Sequence, residues 1–369
     1  MTAPMADRSD AVRAARSVAT TTLSPRAEET DRAYRVPRDN LDALADAGLF
    51  GLAAPEPDGA ALPSPAVVRE VHEALAGACG ATFFVWAQHH TPVRLLARTS
   101  NVGLRERWLG RLCSGSALGG VMFAYLRWDQ VPLRARRVPG GYRVSGVAPW
   151  ATSWGMADVF AVAACLHDDL VLWFLRDGRA DDAVRPSAPL ELVVMQSTST
   201  VRVAFEDLFV PEGDVLLVEP FEAWRHRDRI TTSQPSPAAL GVADTSLRLL
   251  GERAEATPDR TARDTARSLT TEIARSRHMA YRLADMPVPT EPGDSLETHL
   301  ARMVEARVSN LDVARTASHA LVTAVGGAAM ARTHPAQRLA REAMFYFVQA
   351  QTAPIEEASL RRLTRDRDA

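Results

Sequence analysis

Two consecutive histidines, His89 and His90, stand in the run FVWAQHHTPVRLL, an otherwise apolar stretch at helical spacing. An imidazole titrates near neutrality, so the pair is a candidate for general acid–base work on a substrate. The plainer alternative is a pair of satisfied helix residues, one facing solvent, because two polar rings on an apolar helix are costly unless hydrogen-bonded. Glu356 and Glu357 read as a solvated helix face, since Arg361 and Arg362 lie near enough for i,i+4 pairing. Every non-histidine cation in the chain is an arginine. That excludes a Schiff-base lysine and a Walker A lysine together. Cys79, Cys113 and Cys165 are widely spaced in apolar or small-residue contexts. They read as buried free thiols in a reducing cytoplasm, without zinc-ligand spacing.

The elements that must position such residues are bounded by composition. A chain of 369 residues with 46% hydrophobic content suits two or three domains with large buried cores. No stretch approaches the roughly 20 continuous apolar residues that span a bilayer. The opening MTAPMADRSDAVRAARS has no apolar core region and is not a secretory signal, so the expected location is cytoplasmic. A formal net charge of -2 argues against a dedicated nucleic-acid binder.

The hydrophobic pattern changes character twice. Up to Leu118, apolar residues recur at helical spacing in LDALADAGLFGL, VVREVHEALAGACGATFFVWAQHH and RERWLGRLCSG. From Gly119 to about Leu217 the spacing shortens to alternation in YRVSGV, DVFAVAACL, DLVLWFLRD, LELVVM and TVRVAFEDLFV. Turn signals punctuate these runs at 139–141 and 167–169. From Ser236 the helical period returns, with a Pro/Gly-rich loop at 287–294 and long helices predicted over 297–326 and 335–365. The order predicts an α+β chain with three domains: an all-helical segment 1–118, an antiparallel β segment 119–218 and a helical bundle 219–369.

The stretch GGAAMARTHPAQRLAREAMFYFVQAQT, residues 326–352, resembles the C-terminal signature of the acyl-CoA dehydrogenase superfamily. Pro335, Arg341, Glu342, Ala343 and Thr352 fall on its marks without a gap. The same family has an N-terminal helical domain, a middle β domain and a C-terminal four-helix bundle, which matches the order above. VRVAFEDLFVPEGDVL resembles the strand and exit turn that close its β domain, and ERWLGRLCSG the segment leading into it. The position of the family's catalytic glutamate holds Ala350, and a methyl group accepts no proton. The second place where some members carry that glutamate holds Thr231.

PWATSWGMAD, residues 149–158, resembles the family's flavin wall. The resemblance implies that Trp150 packs on the flavin ring while Thr152 and Ser153 supply hydroxyl or backbone donors. It also places Ala124 and Tyr125 where a Thr-Glu pair usually contacts flavin and substrate, which makes Tyr125 a cofactor-contact candidate. Gly326 and Gly327 stand where glycines let backbone approach the cofactor diphosphate, across a subunit boundary in the family. The Arg-x-x-Phe-Gly diphosphate segment is absent; its neighbourhood offers Arg275 and Arg277. The Gln that usually precedes the glycine pair is Thr323.

The resemblance implies a flavoprotein oxidoreductase using FAD, with FMN as the alternative, assembled as a homo-dimer or homo-tetramer. Loss of the carboxylate shifts the expected substrate from a simple fatty acyl-CoA to a specialised small molecule or a carrier-bound one. The leading expectation is a reduced-flavin-dependent monooxygenase served by a separate flavin reductase, with His89 or His90 moving protons. A second is an acyl-thioester dehydrogenase with a relocated base and a separate electron acceptor. A third is a non-catalytic binding or scaffold member of the family.

Overall fold

The computed structural model describes residues 8–55, 62–167, 169–289 and 293–364. The expected turn residue Asp168, the centre of the 287–294 loop and the chain from Arg365 lie outside the described residues. In chain order the helices are α1 (Arg8–Val18), α2 (Ala27–Arg32), α3 (Arg38–Asp46), α4 (Pro65–Ala78), α5 (Gly80–Arg98), α6 (Val102–Cys113), α7 (Phe221–Ser233), α8 (Pro237–Ala256), α9 (Arg260–Ala284), α10 (Asp294–Val325), α11 (Pro335–Val348) and α12 (Ala353–Thr364). The strands are β1 (Gly119–Met122), β2 (Leu133–Val138), β3 (Gly141–Ala151), β4 (Val159–Leu166), β5 (Leu170–Asp177), β6 (Val184–Pro186), β7 (Val201–Pro211) and β8 (Val215–Pro220). Two compact units emerge. One takes the chain to Val18, Arg32–Ser64 and Ala81–His226; the other takes Ala19–Asp31, Pro65–Gly80 and the described chain from Arg227.

The first unit holds the whole sheet, in the order β6-β7-β3-β2-β4-β5-β8 with β1 also on β4. It is mixed where an antiparallel sheet is predicted: β1 and β2 both run parallel to β4. The cause is local. β4 pairs with β5 along its full length, so β1 and β2 share its other edge, joined by a connection that includes a short helical turn over Ala124–Arg127. All eight residues of β4 are buried, as expected of a strand covered on both faces. The predicted hairpin at 139–141 is present, turning through Gly140 at φ 78° between β2 and β3. LELVVM is not a strand. Gln196 Oε1 takes the Leu192 N–H, and Met195 sits at φ 59°, which breaks the extended path.

In the second unit α10 is the central helix, packed against α8, α9, α11 and α12. Its contact with α12 is apolar, through Val304, Val308, Ile355 and Ala358. Each buried Val or Ile side chain in this contact contributes about 2 kcal/mol. α4 lies so close on α8 that a Cβ at Gly241 would come within 2.1 Å of the Glu73 carbonyl oxygen. The helix predicted over 335–365 is two helices, broken at 349–352. The single run predicted over 67–90 is likewise broken at Cys79, between Gly77 and Gly80.

Candidate functional site

Trp150 is the penultimate residue of β3 and leaves 49% of its surface exposed. Directly after it the chain turns sharply through Thr152, Ser153 and Gly155, with Ser153 at φ 71° and Gly155 at φ 73°. A second irregular segment, Ser197–Thr200, holds that turn in place. The Ser153 N–H donates to the Thr198 carbonyl at 2.8 Å, and the Trp154 N–H to that of Ser199 at 3.2 Å. Thr152 Oγ1 lies 3.2 Å from Thr200 Oγ1, which in turn lies 2.9 Å from Thr198 Oγ1. Thr152, Ser153, Ser197, Thr198, Ser199 and Thr200 are all buried. Ser199 adds another left-handed residue at φ 50°. Non-glycine residues held there cost on the order of 1–3 kcal/mol each and collect at functional sites. The corner therefore presents an exposed indole backed by a rigid, neutral, hydroxyl-rich turn. Ser197–Thr200 is the part that sequence reasoning missed. Its signal was the hydroxyl run STST immediately before the β7 pattern.

The two histidines take a different part. His89 is fully buried, and its Nδ1 accepts the Gly119 N–H at 2.9 Å. Burial lowers its pKa to about 3, against the opposing influence of backbone groups at Phe50 and Leu112. His89 is thus a neutral imidazole whose accepting nitrogen is already committed to the start of β1. His90 sets its two ring nitrogens against the carbonyls of Trp86 at 2.9 Å and Leu49 at 3.2 Å, with its ring edge-on to Trp86. This geometry ties the pair to backbone around α5 within the first unit, while His89 Nε2 is buried without a hydrogen-bond partner. Tyr125 is tied to backbone in the same way. It is buried, and its hydroxyl points to the carbonyls of Ala163 at 2.6 Å and Met122 at 2.9 Å, which leaves it no donor for a cofactor. Burial pushes its phenol well above the usual range.

In the second unit the turn that carries Ala350 is fixed by charge. Arg307 on α10 is buried and donates to the Gln349 carbonyl at 2.9 Å and the Gln234 carbonyl at 3.3 Å. One guanidinium thus joins the C-terminal ends of α11 and α7, where helix dipoles favour a cation. Ala350 itself has φ 53°. On α11, Arg338 bonds both oxygens of Glu342 at 2.9 and 3.0 Å and reaches Glu28 at 3.2 Å. Glu342 also accepts the Gly80 N–H at the start of α5. Burial pushes this carboxyl up, opposed by the Arg338 charge, while Arg338 is held more firmly protonated by Glu342. Arg341 pairs with Asp31. Thr231 spends its hydroxyl on the Arg227 carbonyl. Arg277 is engaged by Glu73 and Asp244. Gly326 ends α10 at φ 74°, and neither it nor Gly327 has an atom near its missing Cβ, so both are open to an approaching group.

Residues 6–116 match the family described as acyl-CoA dehydrogenase, N-terminal domain. The chain is 26% identical over 361 residues to benzylmalonyl-CoA dehydrogenase of Aromatoleum aromaticum, covering 90% of this chain and 91% of the relative. It is 27% identical over 205 residues to the oxygenase subunit HsaA of a flavin-dependent monooxygenase from Rhodococcus jostii, covering 53% and 49%. Butyryl-CoA dehydrogenase from Megasphaera elsdenii shares the fold, with a TM-score of 0.80 at 17% identity over 99% of this chain and 100% of that one.

Proposed function

We propose that this chain, whose residues 6–116 match the acyl-CoA dehydrogenase N-terminal domain family, is a member of the acyl-CoA dehydrogenase superfamily that works as a reduced-flavin-dependent monooxygenase on a specialised small-molecule or carrier-bound substrate. The observation that carries this reading is the contrast at its centre. The aromatic and hydroxyl corner at Trp150–Ser153 is intact, while the place of the family's proton-abstracting carboxylate is Ala350 in a turn clamped by Arg307.

The residues present fit a flavin. Trp150 offers an exposed aromatic face, and the strained turn at Thr152 and Ser153 sets backbone and hydroxyl groups beside it. FAD is the proposed cofactor, with FMN as the alternative; Gly326 and Gly327 are proposed to meet its phosphates. A bound reduced flavin supplies two-electron chemistry with oxygen. In this reading Trp150, Thr152 and Ser153 orient the ring. His89 and His90 fix the α5 backbone and move no proton in this reading.

The dehydrogenase alternative draws on the long alignment with a CoA-ester dehydrogenase. It requires a proton acceptor other than residue 350. The discriminating experiment incubates the protein with chemically reduced FAD or FMN and oxygen across a substrate panel. A product heavier by one oxygen supports the proposal. Flavin bleaching by an acyl-CoA under anaerobic conditions, without oxygen transfer to any substrate, overturns it. A protein that takes up neither flavin makes the scaffold reading the leading one.

A further inference from the structure

Within the second unit, α9, α10 and α12 frame an open cleft of about 1230 Å³. Along its α9 side, Arg275, Met279 and Arg282 follow at i, i+4 and i+7, so they share one helical face, and Met286 lines the cleft just beyond the end of that helix. The methionines are 63% and 50% exposed, the pattern of an adaptable apolar contact surface. Most other cations of the cleft are already answered: Arg229 by Glu297 at 2.7 Å, Arg361 by Glu357 at 2.9 Å and Arg362 by Asp312 at 2.9 Å. Among the described residues, Arg275, Arg282 and Arg302 have no carboxylate partner, and Glu272 is the one lining carboxylate without an ion pair. The cleft therefore carries an excess of unanswered positive charge around an apolar stripe.

Size narrows the occupant. Small-ligand pockets occupy roughly 300–1,000 Å³, and this cleft is larger. A helix about 10 Å across that rises 1.5 Å per residue fills roughly 120 Å³ per residue, so the space suits about three turns. We propose that the cleft docks an acidic amphipathic helix of a partner protein. Its apolar side chains seat against Met279, Met286 and Leu283, and its flanking carboxylates meet Arg275, Arg282 and Arg302. The proposal is independent of the flavin reading.

The test is fluorescence anisotropy on the full chain with a labelled helical peptide of about 16 residues, leucines on one face and glutamates on its flanks. A control peptide replaces the glutamates with lysines. The glutamate peptide is expected to bind at least tenfold more tightly, weakening as salt is raised. In the R275E/R282E double variant the preference should invert, a result that misfolding cannot produce. Equal binding of both peptides, no binding of either at about 1 mM, or an unchanged preference in the variant overturns the proposal. So does sedimentation showing a self-associated chain that Met279→Glu disperses, since a second copy would then be the occupant.

Discussion

The Trp150–Ser153 corner and the 349–352 turn are both sharp reversals at the end of a regular element, yet they are held by opposite means. The corner is fixed by short, neutral, mostly backbone-directed bonds from Ser197–Thr200, and it keeps an aromatic face exposed. The turn is fixed by long charged side chains, with Arg307 clamping Gln349 and the Arg338–Glu342 pair anchoring α11 just before it. Hydroxyls and amides can orient a planar ring without adding charge. A guanidinium clamp instead sets a cation against the turn. The neutral corner keeps an aromatic face and hydroxyls together, whereas the charged turn carries an alanine at residue 350.

The largest expected effect breaks the charged side of that comparison. Arg338→Met strands Glu342 at 3% exposure and should cost roughly 3–5 kcal/mol in denaturant unfolding. Replacing both partners by apolar residues should recover most of it. If Arg338→Met costs under about 1 kcal/mol, charge does not fix α11.

The next effect belongs to the first unit and is read by pH. The His89 pKa lies near 3, below the usual 6.5, so its burial contributes stability that is whole above about 6.5 and is lost as pH falls toward 3. The loss is on the order of 4 kcal/mol from this group. His89→Asn keeps an acceptor for Gly119, and its unfolding free energy should fall less steeply over that window. Identical pH slopes in the two proteins would restore His89 as an accessible, titrating base.

Smaller again is the cofactor effect. Trp150→Ala should weaken flavin binding about tenfold, followed by fluorescence quenching, while a half-exposed side chain leaves the melting temperature nearly unchanged. Undiminished affinity would remove the corner from the site. The smallest pair sharpens the contrast directly. Ser153→Gly and Ala350→Gly each relieve a left-handed residue and should stabilise by about 1 kcal/mol. Only Ser153→Gly should also loosen flavin; equal flavin affinities in both variants would show that the strain at Ser153 serves no ligand.

The candidate positions legible in the sequence were those written close together. Trp150, Thr152 and Ser153 lie within four residues, and the Arg341–Glu342–Ala343 step and the glycine pair are each contiguous. The parts that were not legible depend on partners far along the chain. Ser197–Thr200 closes the corner from about forty-five residues away, an offset set by sheet pairing. Nothing near His89 announced that Gly119 would occupy its nitrogen. Nor did the alternation of LELVVM reveal a side chain placed to capture its backbone.

By itself, then, the sequence determined the helix–sheet–helix order, an alanine rather than a carboxylate at residue 350 and an aromatic residue at 150. Periodicity and residue type act locally, and both survive in a linear reading. Only the tertiary structure decided which polar groups remain free to meet a ligand. Burial and hydrogen bonding are properties of neighbours in space, which bury His89, His90 and Tyr125 and set polar atoms of each against backbone groups.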